Sequence, residues 1–310
     1  MSTDGLEDVD QNNADAWGLM APPEIDEALM QRCRERGDFC PVLFVWYQYI
    51  GATCSFFSRI QRDGSDIKPL PALNYAVLIA LLNRCARLMI SNIKLSDQGL
   101  FGETTVIIDR CIFESVVKLQ WLCHKGDDAS FRRFVLDGLK PDVEFRANIM
   151  AKIQSRGGEP LNIEARMLAS VDSYLAAVPT TAEEVDASPK MLDLASMIDA
   201  IGHDRLVYVV GQRLGSHHVH GTWPALYRDY LEDDGAGNFA PRDHDCPTNA
   251  NQYIYVMTLV LDALRAFTDF VAQPGEGHDA LTTLLEAASA DLEQLRAEIV
   301  GADFDTMDAA

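Results

Sequence analysis

Apolar residues recur every three or four positions along most of this chain, which is the spacing of amphipathic helices. The segments with this spacing are 41–62, 71–94, 103–124, 129–155, 162–177, 190–201, 204–220, 249–271 and 278–299. No stretch alternates apolar and polar residues as a half-buried strand would. Pro141 indicates a break, and residues 179–189 and 233–247 have the composition of a linker and a loop. We therefore expect an all-α protein folded as a multi-helix bundle.

Charge and helical pattern together divide the chain into four parts. Residues 1–21 carry acidic side chains and no lysine or arginine, which is typical of a disordered tail. Residues 301–310 form a second acidic tail. We expect residues 22–70 to form an N-terminal extension of helices that pack on the core. Residues 71–300 are then the helical-bundle domain.

Cysteine usage and hydropathy indicate the compartment. The seven cysteines are odd in number and include no C-x-x-C pair, so we expect reduced, buried thiols and no disulfide framework. The apolar run at 76–82 is far shorter than the ~20 residues of a membrane span. Residues 1–23 lack the basic and apolar regions of a secretory signal. We expect a cytoplasmic protein with no membrane partner.

The net charge of −21 limits the partners that the surface can attract. A protein that grips nucleic acid non-specifically usually carries a basic face. This chain repels phosphate backbones on average, so a nucleic-acid substrate would need a local, specific site.

The strongest candidate for chemistry is a polar cluster at the end of helix 204–220. At about 100° per residue, four polar side chains continue the apolar stripe of the first two turns, whereas His218 points away. The stripe is Leu206, Val209 and Val210, and the polar side chains are Arg213, Ser216, His217 and His220. An unpaired buried polar group costs roughly 1–3 kcal/mol. We expect these four to line a cleft; the alternative is a satisfied polar network at a helix end.

A charged pair lies on the helix 103–124, which is apolar on nearly every side and is expected to be the central helix of the bundle. Arg110 and Glu114 are four residues apart and share one face. Buried charge needs a partner. That partner is either the other member of the pair or the histidine cluster.

In their order along the chain, these residues resemble the bacterial domain-of-unknown-function family 5677. The pattern of that family is an R-x-x-x-E helix, an R-F pair and a late S-x-x-x-H-G. The matching positions here are Arg110 with Glu114, Arg133 with Phe134, and Ser216 with His220 and Gly221. The resemblance covers residues 71–271 and implies a helical bundle of bacterial origin. It brings no settled activity.

A more distant similarity is to the higher-eukaryote-and-prokaryote nucleotide-binding (HEPN) domains, which are helical bundles and often metal-independent ribonucleases. Their signature is an arginine followed, after four to six residues, by a histidine. Here His218 follows Arg213 after four residues and His220 after six. The helical positions favour His220, because it shares a face with Arg213. The chain departs from the signature because Leu214, rather than a polar residue, follows the arginine.

The first hypothesis is a ribonuclease-like enzyme without a cofactor, a toxin or phage-defence effector that forms a homodimer and cleaves RNA. His220 would exchange a proton with the ribose 2′-hydroxyl, and Arg213 would hold the scissile phosphate. His217 would be the partner acid. Glu114 would orient a histidine, and Arg110 would neutralise Glu114 or contact phosphate. Ser216 completes this candidate site.

Two alternatives stay open from the sequence. His217 and His220, three residues apart, could share a metal ion with Glu114 in a metal-dependent hydrolase. The chain could instead be a non-enzymatic helical module that binds a partner protein or a small ligand, with the polar network only fixing the fold. An open cleft that joins Arg110, Glu114, Arg213 and His220 would favour an enzyme.

Overall fold

The computed structural model describes residues 21–96, 99–244 and 246–307. Helices account for most of this part of the chain, and its two strands form one small hairpin, so the all-α prediction is confirmed. The tail expected at 1–21 lies almost entirely outside the described residues. The tail expected at 301–310 begins inside a helix that continues to Met307.

The longer helices are α1 (Glu27–Arg36), α2 (Cys40–Phe57), α3 (Ala72–Leu95), α4 (Gly102–Lys125), α5 (Asp128–Ser155), α6 (Asn162–Ala177), α12 (Ala250–Val271) and α13 (Glu276–Met307). Between α6 and α12 lie short elements: α7 (Ala182–Ala187), α8 (Leu194–Ala200), α9 (Arg205–Tyr208), π1 (Val209–Leu214), α10 (Gly215–His220), α11 (Trp223–Ala225) and π2 (Leu226–Tyr230). Strands β1 (Leu231–Asp233) and β2 (Phe239–Pro241) pair antiparallel, with Leu231 opposite Pro241. The segments π1 and π2 are π-helical turns.

The core is built from α2, α3, α4 and α12, which pack on one another, with α13 along α12. Helix α4 contacts α3, α12, α8, π1 and α10, so it is the central helix, as its apolar pattern predicts. Its buried residues include Phe113, Val117 and Trp121. Burying such side chains supplies the main stabilisation of the bundle, at roughly 1.5–3 kcal/mol for each large apolar residue.

Helix α3 is the one described helix long and apolar enough to cross a membrane by length and composition. Its most apolar window has a mean hydropathy of 1.4 and is 44% buried within the protein. The helix packs against α2 and α4, and Leu78, Leu82 and Met89 are fully buried there. A core helix of a bundle passes the same test, so this observation is weak support for a membrane span.

Three local expectations differ from the structure. Helix α5 continues through Pro141, although an interior proline costs ~3 kcal/mol, because α6 and α7 pack along it. The expected linker at 179–189 contains α7, whose Val185 is buried against Leu136 and Val143. The expected helix 204–220 is not continuous α-helix, since π1 interrupts it.

Candidate functional site

A cavity of about 240 Å³ lies where π1, α10 and π2 approach the bundle. Apolar side chains such as Val106, Val210 and Leu214 contribute to its walls. The charged, polar and tyrosine side chains that line it are Asp109, Arg110, His217, His218, Arg228, Asn251, Gln252 and Tyr255. The cavity therefore combines apolar walls with a few polar groups, which is the usual character of a ligand site.

Two glycines bring π1 and α10 close to the bundle. Gly211 and Gly215 are buried, and they follow a G-x-x-x-G spacing. A Cβ atom on Gly211 would overlap the hydroxyl of Tyr255 and lie 2.5 Å from the ring of Phe113. A Cβ on Gly215 would lie 3.1 Å from the Cβ of Arg110. At Gly211 only glycine allows this approach, which places the end of the segment over the cavity.

The π-helical turn changes which histidine faces the cavity. A π turn contains about one residue more than an α turn, so positions after it rotate by roughly 100° relative to a regular α-helix. The prediction that His218 points away is therefore wrong, because its side chain is 3% exposed and lines the cavity. The buried position predicted for Arg213 and His220 is also wrong: both are exposed. Leu206, expected in the buried stripe, is 64% exposed.

His218 is held between an aspartate and an arginine. Its Nδ1 lies 3.4 Å from Oδ2 of Asp229, within ion-pair range but without hydrogen-bond geometry. Its Nε2 lies 2.7 Å from Nη2 of Arg228. A guanidinium only donates, so Nε2 must accept, and the ring is neutral with its hydrogen on Nδ1. Burial lowers the pKa of His218, the Asp229 carboxylate opposes this, and the Arg228 charge adds to it.

Arg228 neutralises the carboxylate of Asp229 and still reaches solvent. Its Nε donates to Oδ1 of Asp229 at 2.9 Å, and its Nη2 donates to Oδ2 at 3.2 Å. The Asp229 side chain is nearly buried, whereas that of Arg228 is 66% exposed. A bidentate pair of this kind fixes both side chains. Arg228 can therefore orient Asp229 and present donors to an anionic ligand at the cavity.

The sequence-predicted site residues divide into two groups. Arg110 and His217 line the cavity, and Nδ1 of His217 lies 2.6 Å from Oγ1 of Thr222. The other four predicted residues are not among its lining residues: Arg213, Ser216, His220 and Glu114. Arg213 instead lines a separate cleft, and the hydroxyl of Ser216 donates to the carbonyl of Gln212 in the preceding π1.

The pair Arg110 and Glu114 forms a local ion pair, 3.0 Å between Nη2 and Oε1. With the side-chain amide of Gln212 turned over, its oxygen accepts from Arg110 at 2.7 Å and its nitrogen donates to Glu114 at 3.3 Å. Lys118 adds a longer contact of 3.8 Å to Glu114. Of the two partners that the sequence left open for this pair, the structure therefore shows the ion pair itself, joined by Gln212 of π1.

Asp109 is a cavity residue that sequence reasoning missed. It accepts hydrogen bonds from Asn92 Nδ2 at 2.6 Å and from Gln252 Nε2 at 3.2 Å. Burial raises the pKa of Asp109 to about 7, and these two hydrogen bonds oppose the rise. A further carboxylate next to Arg110, on a largely apolar helix, was the available signal. Asp229 and Arg228 carried no such signal, because they lie in a stretch without a recognisable motif.

The structure does not bring together the three ligands of the metal-site alternative, His217, His220 and Glu114. Glu114 is paired with Arg110, His217 contacts Thr222, and His220 is exposed. Within residues 21–96, 99–244 and 246–307, no group of three or more His, Cys, Asp or Glu side chains is placed to hold a metal ion. The described side chains therefore do not form the site that the sequence suggested.

An exposed aromatic cluster lies beside the cavity wall formed by Pro224 and Ala225. It consists of Trp223, Tyr227 and Phe239, whose ring centroids are 5.7–6.1 Å apart. Trp223 is 58% exposed. The hydroxyl of Tyr227 donates to Asp233 at 3.1 Å. The cluster is a local apolar patch next to an acidic hairpin.

These features define a helical-bundle protein with a histidine–carboxylate cavity on one side of its core. The chain belongs to the family of unknown function DUF5677, which matches residues 75–239, just over half of its length. The match extends from α3 to β2 and includes Arg110, Glu114 and the Ser216–Gly221 segment, so the family predicted from the sequence is confirmed. No curated protein and no solved structure matches the chain. The similarity to HEPN domains stays a prediction.

Proposed function

We propose that the chain is a ribonuclease-like enzyme that cleaves a phosphodiester bond, with His218 as the general base. The observation that supports this proposal is the neutral His218, whose Nε2 accepts from Arg228 at the cavity. A nearly buried carboxylate behind the ring can stabilise the imidazolium, and an exposed guanidinium in front of it can stabilise the charge of a phosphate ester.

In the proposed reaction, a ribose 2′-hydroxyl loses its proton to Nε2 of His218 while its oxygen attacks the adjacent phosphorus. The hydroxyl displaces Nη2 of Arg228 from Nε2. The guanidinium stays paired with Asp229 through Nε, donates to the phosphate oxygens and stabilises their developing charge. Asp229 stabilises the imidazolium that forms. The bond to the 5′-oxygen breaks, and His217 supplies a proton to that oxygen. The products are a 2′,3′-cyclic phosphate and a 5′-hydroxyl.

This proposal keeps the reaction class expected from the sequence and reassigns three roles. His218 replaces His220 as the base, and Arg228 replaces Arg213 at the phosphate. Asp229 replaces Glu114 as the carboxylate that orients the histidine. We further propose that the enzyme acts in the cytoplasm as a homodimer without a metal cofactor, as a toxin or phage-defence effector. The net charge of −21 favours a local contact of Arg228 with one phosphate over a long basic groove.

Cleavage of a fluorogenic single-stranded RNA in the presence of EDTA tests the proposal. We expect His218→Ala to lower the rate by about 10²- to 10⁴-fold, the usual contribution of general acid–base catalysis. His220→Ala is the matched control, because it removes an exposed histidine from the same helix and should leave the rate unchanged. A wild-type chain with no activity, or equal losses in both variants, would refute the role of His218.

The aromatic cluster supports a second candidate function, a non-enzymatic module that binds a partner protein. Trp223, Tyr227 and Phe239 expose ring surface, and such residues are enriched at protein interfaces. In a cell-based assay of toxicity or phage protection, this function predicts loss of the phenotype with Trp223→Ala and retention with His218→Ala. The enzyme proposal predicts loss of the phenotype with His218→Ala.

A further inference from the structure

The proposed cleavage does not use the exposed aromatic cluster, which consists of Trp223 of α11, Tyr227 of π2 and Phe239 of β2. None of these three residues lines the His218 cavity. They are 58%, 44% and 48% exposed, in that order. Large aromatic rings that are left open to water at one place on a surface mark a site of interaction. The ring geometry and the surrounding charge indicate what binds there.

The three ring planes are arranged as two walls of a corner. Trp223 and Tyr227 are inclined by only 36°, with centroids 5.7 Å apart, so together they form one wall. Phe239 forms the other wall, at 89° to Trp223 and 77° to Tyr227, with centroids 5.8 Å and 6.1 Å away. A cation about 4 Å from each of two perpendicular ring faces requires centroids roughly 6 Å apart. The observed spacing therefore fits a cation held between the two walls.

The β1–β2 hairpin holds this corner in shape. All three residues of β2 are exposed, and a two-stranded hairpin alone is marginally stable. Contacts to π2 stabilise it: the Tyr227 hydroxyl donates to Oδ2 of Asp233 at 3.1 Å, and Nη2 of Arg242 donates to the carbonyl of Arg228 at 3.0 Å. Asp233 pairs with Phe239 across the strands, and directly paired residues lie on one face. A carboxylate is therefore fixed beside the rings.

The charge around the corner favours a cation. Residues 223–241 include four acidic side chains and one arginine, Arg228, whose charge is paired with Asp229. The other three acidic residues, at 232–234, belong to the hairpin. The ring faces are also negative, because of the aromatic quadrupole. Both features repel an anion, and the net charge of −21 draws cations to the protein.

We propose that the aromatic cluster binds the trimethylammonium group of a methylated lysine side chain on a partner protein. The methyl groups contact the ring faces, and the carboxylates of the hairpin supply the opposing negative charge. A quaternary ammonium has no N–H group, so aromatic faces can replace its hydration shell without the loss of hydrogen bonds. An unmodified lysine has three N–H donors, which the rings leave unpaired. Methylation of the lysine is therefore what this surface recognises.

The openness of the cluster favours a group that another protein presents. Sites for small molecules usually bury roughly 70–90% of the ligand surface. Here the rings remain 44–58% exposed, beside a strand that is exposed along its whole length. A lysine side chain of a partner can enter such a corner while neighbouring residues of the partner contact the acidic hairpin. The inference does not rest on the proposed cleavage.

Isothermal titration of the full chain with short peptides tests this site. The peptides have the sequence Gly-Gly-Lys-Gly-Gly with blocked ends, and the lysine is either trimethylated or unmodified. We expect saturable binding of the trimethylated peptide at one site, and at least about tenfold weaker binding of the unmodified peptide. A third peptide, in which a tert-butyl group replaces the trimethylammonium, keeps the shape without the charge. It should also bind at least about tenfold more weakly.

Substitutions in the cluster test the role of the rings. Trp223→Leu and Phe239→Leu should each weaken binding of the trimethylated peptide at least about tenfold, and Trp223→Phe, which keeps a ring, should weaken it less. Tyr174→Leu is the matched control, because Tyr174 is an aromatic residue of α6 with a similar exposure of 48%. This control should bind the peptide as the wild type does. If a leucine variant does not fold, as judged by circular dichroism, the comparison of the three peptides on the wild type carries the test.

Three results would overturn the cation site: no saturable heat with the trimethylated peptide, equal binding of the tert-butyl peptide, or equal weakening in Tyr174→Leu. Two further results would overturn the choice of a protein partner. Free choline bound as tightly as the peptide would mean a small-molecule site, and sedimentation of the chain with phosphatidylcholine vesicles would mean a membrane headgroup. The His218→Ala variant should bind the trimethylated peptide normally, so this inference and the proposed nuclease activity can fail separately.

Discussion

The Nδ1 of His218 lies 3.4 Å from Oδ2 of Asp229, and both side chains are nearly buried, 3% and 8% exposed. The two residues belong to different elements, α10 and π2, and the turn at Gly221 joins α10 to the next segment. In the proposed reaction, Asp229 is a positioning residue that holds the ring and supports the imidazolium.

Replacing Asp229 should change the pH profile of cleavage. The base acts in its neutral form, so the rate rises with pH through the pKa of His218. The Asp229 carboxylate raises that pKa against the effect of burial. In Asp229→Asn the pKa of His218 falls further, and the acidic limb of kcat/KM should move to lower pH. The plateau should fall about 10²-fold or more.

Asp233→Asn, in the neighbouring hairpin, is the control for that profile, since it removes an exposed carboxylate that contacts Tyr227. Its acidic limb should match that of the wild type. An Asp229→Asn enzyme with an unshifted limb would remove Asp229 from the proposed mechanism.

Replacing Arg228 should weaken the contact with RNA. We expect Arg228→Gln to raise KM about tenfold and to lower kcat, because the phosphate loses its cation. One lost phosphate contact should also reduce the slope of log kcat/KM against log salt concentration by about 0.7. Arg213→Gln removes an exposed arginine of the same chain region and should change neither quantity. The proposal fails if the two variants behave alike.

The close packing at Gly211 should make this position intolerant of a methyl group. In Gly211→Ala the new Cβ would overlap Tyr255 and Phe113, so the free energy of unfolding should drop by about 1–3 kcal/mol. Gly138→Ala is the control, because no atom lies within 4 Å of its Cβ position in α5. There we expect a neutral effect or a gain of roughly 0.5–1 kcal/mol from helix propensity. Urea denaturation measures both, and similar values would contradict the packing described for π1.

The half-buried Asp109 should make stability fall as pH rises. Its pKa is about 7 in the folded protein, against 3.8 as the ordinary value. Its contribution is therefore complete below about pH 4 and is lost as pH rises through 7, because the unfolded chain releases the proton first. The slope reaches at most roughly 1.4 kcal/mol per pH unit.

Urea denaturation between pH 4 and 8 tests this. Asp109→Asn should flatten the slope relative to the wild type, whatever its absolute stability. Asp186→Asn, on an exposed position of α7, should leave the slope unchanged. A wild-type slope that persists in Asp109→Asn would show that another group is responsible.

Much of the bundle could be read from local pattern. The spacing of apolar residues predicted α3, α4 and α12 to within a few residues, and it predicted α4 as the central helix, because its apolar residues lie on nearly every side. Motif order indicated the family, and the same region contains the cavity. The sequence placed candidate chemistry on the segment that ends at His220, and the cavity does lie against it.

What the sequence by itself determined was thus the helical periodicity, the central helix and the neighbourhood of the site. Only the tertiary structure decided which histidine faces the cavity, because the rotation depends on one extra residue in π1. That turn forms where Gly211 packs against Phe113 and Tyr255, both of which lie far from it in the sequence. The tertiary structure also decided that His218 lies next to Asp229. A helical projection drawn at a constant angle per residue cannot predict a change of helical pitch that long-range packing imposes.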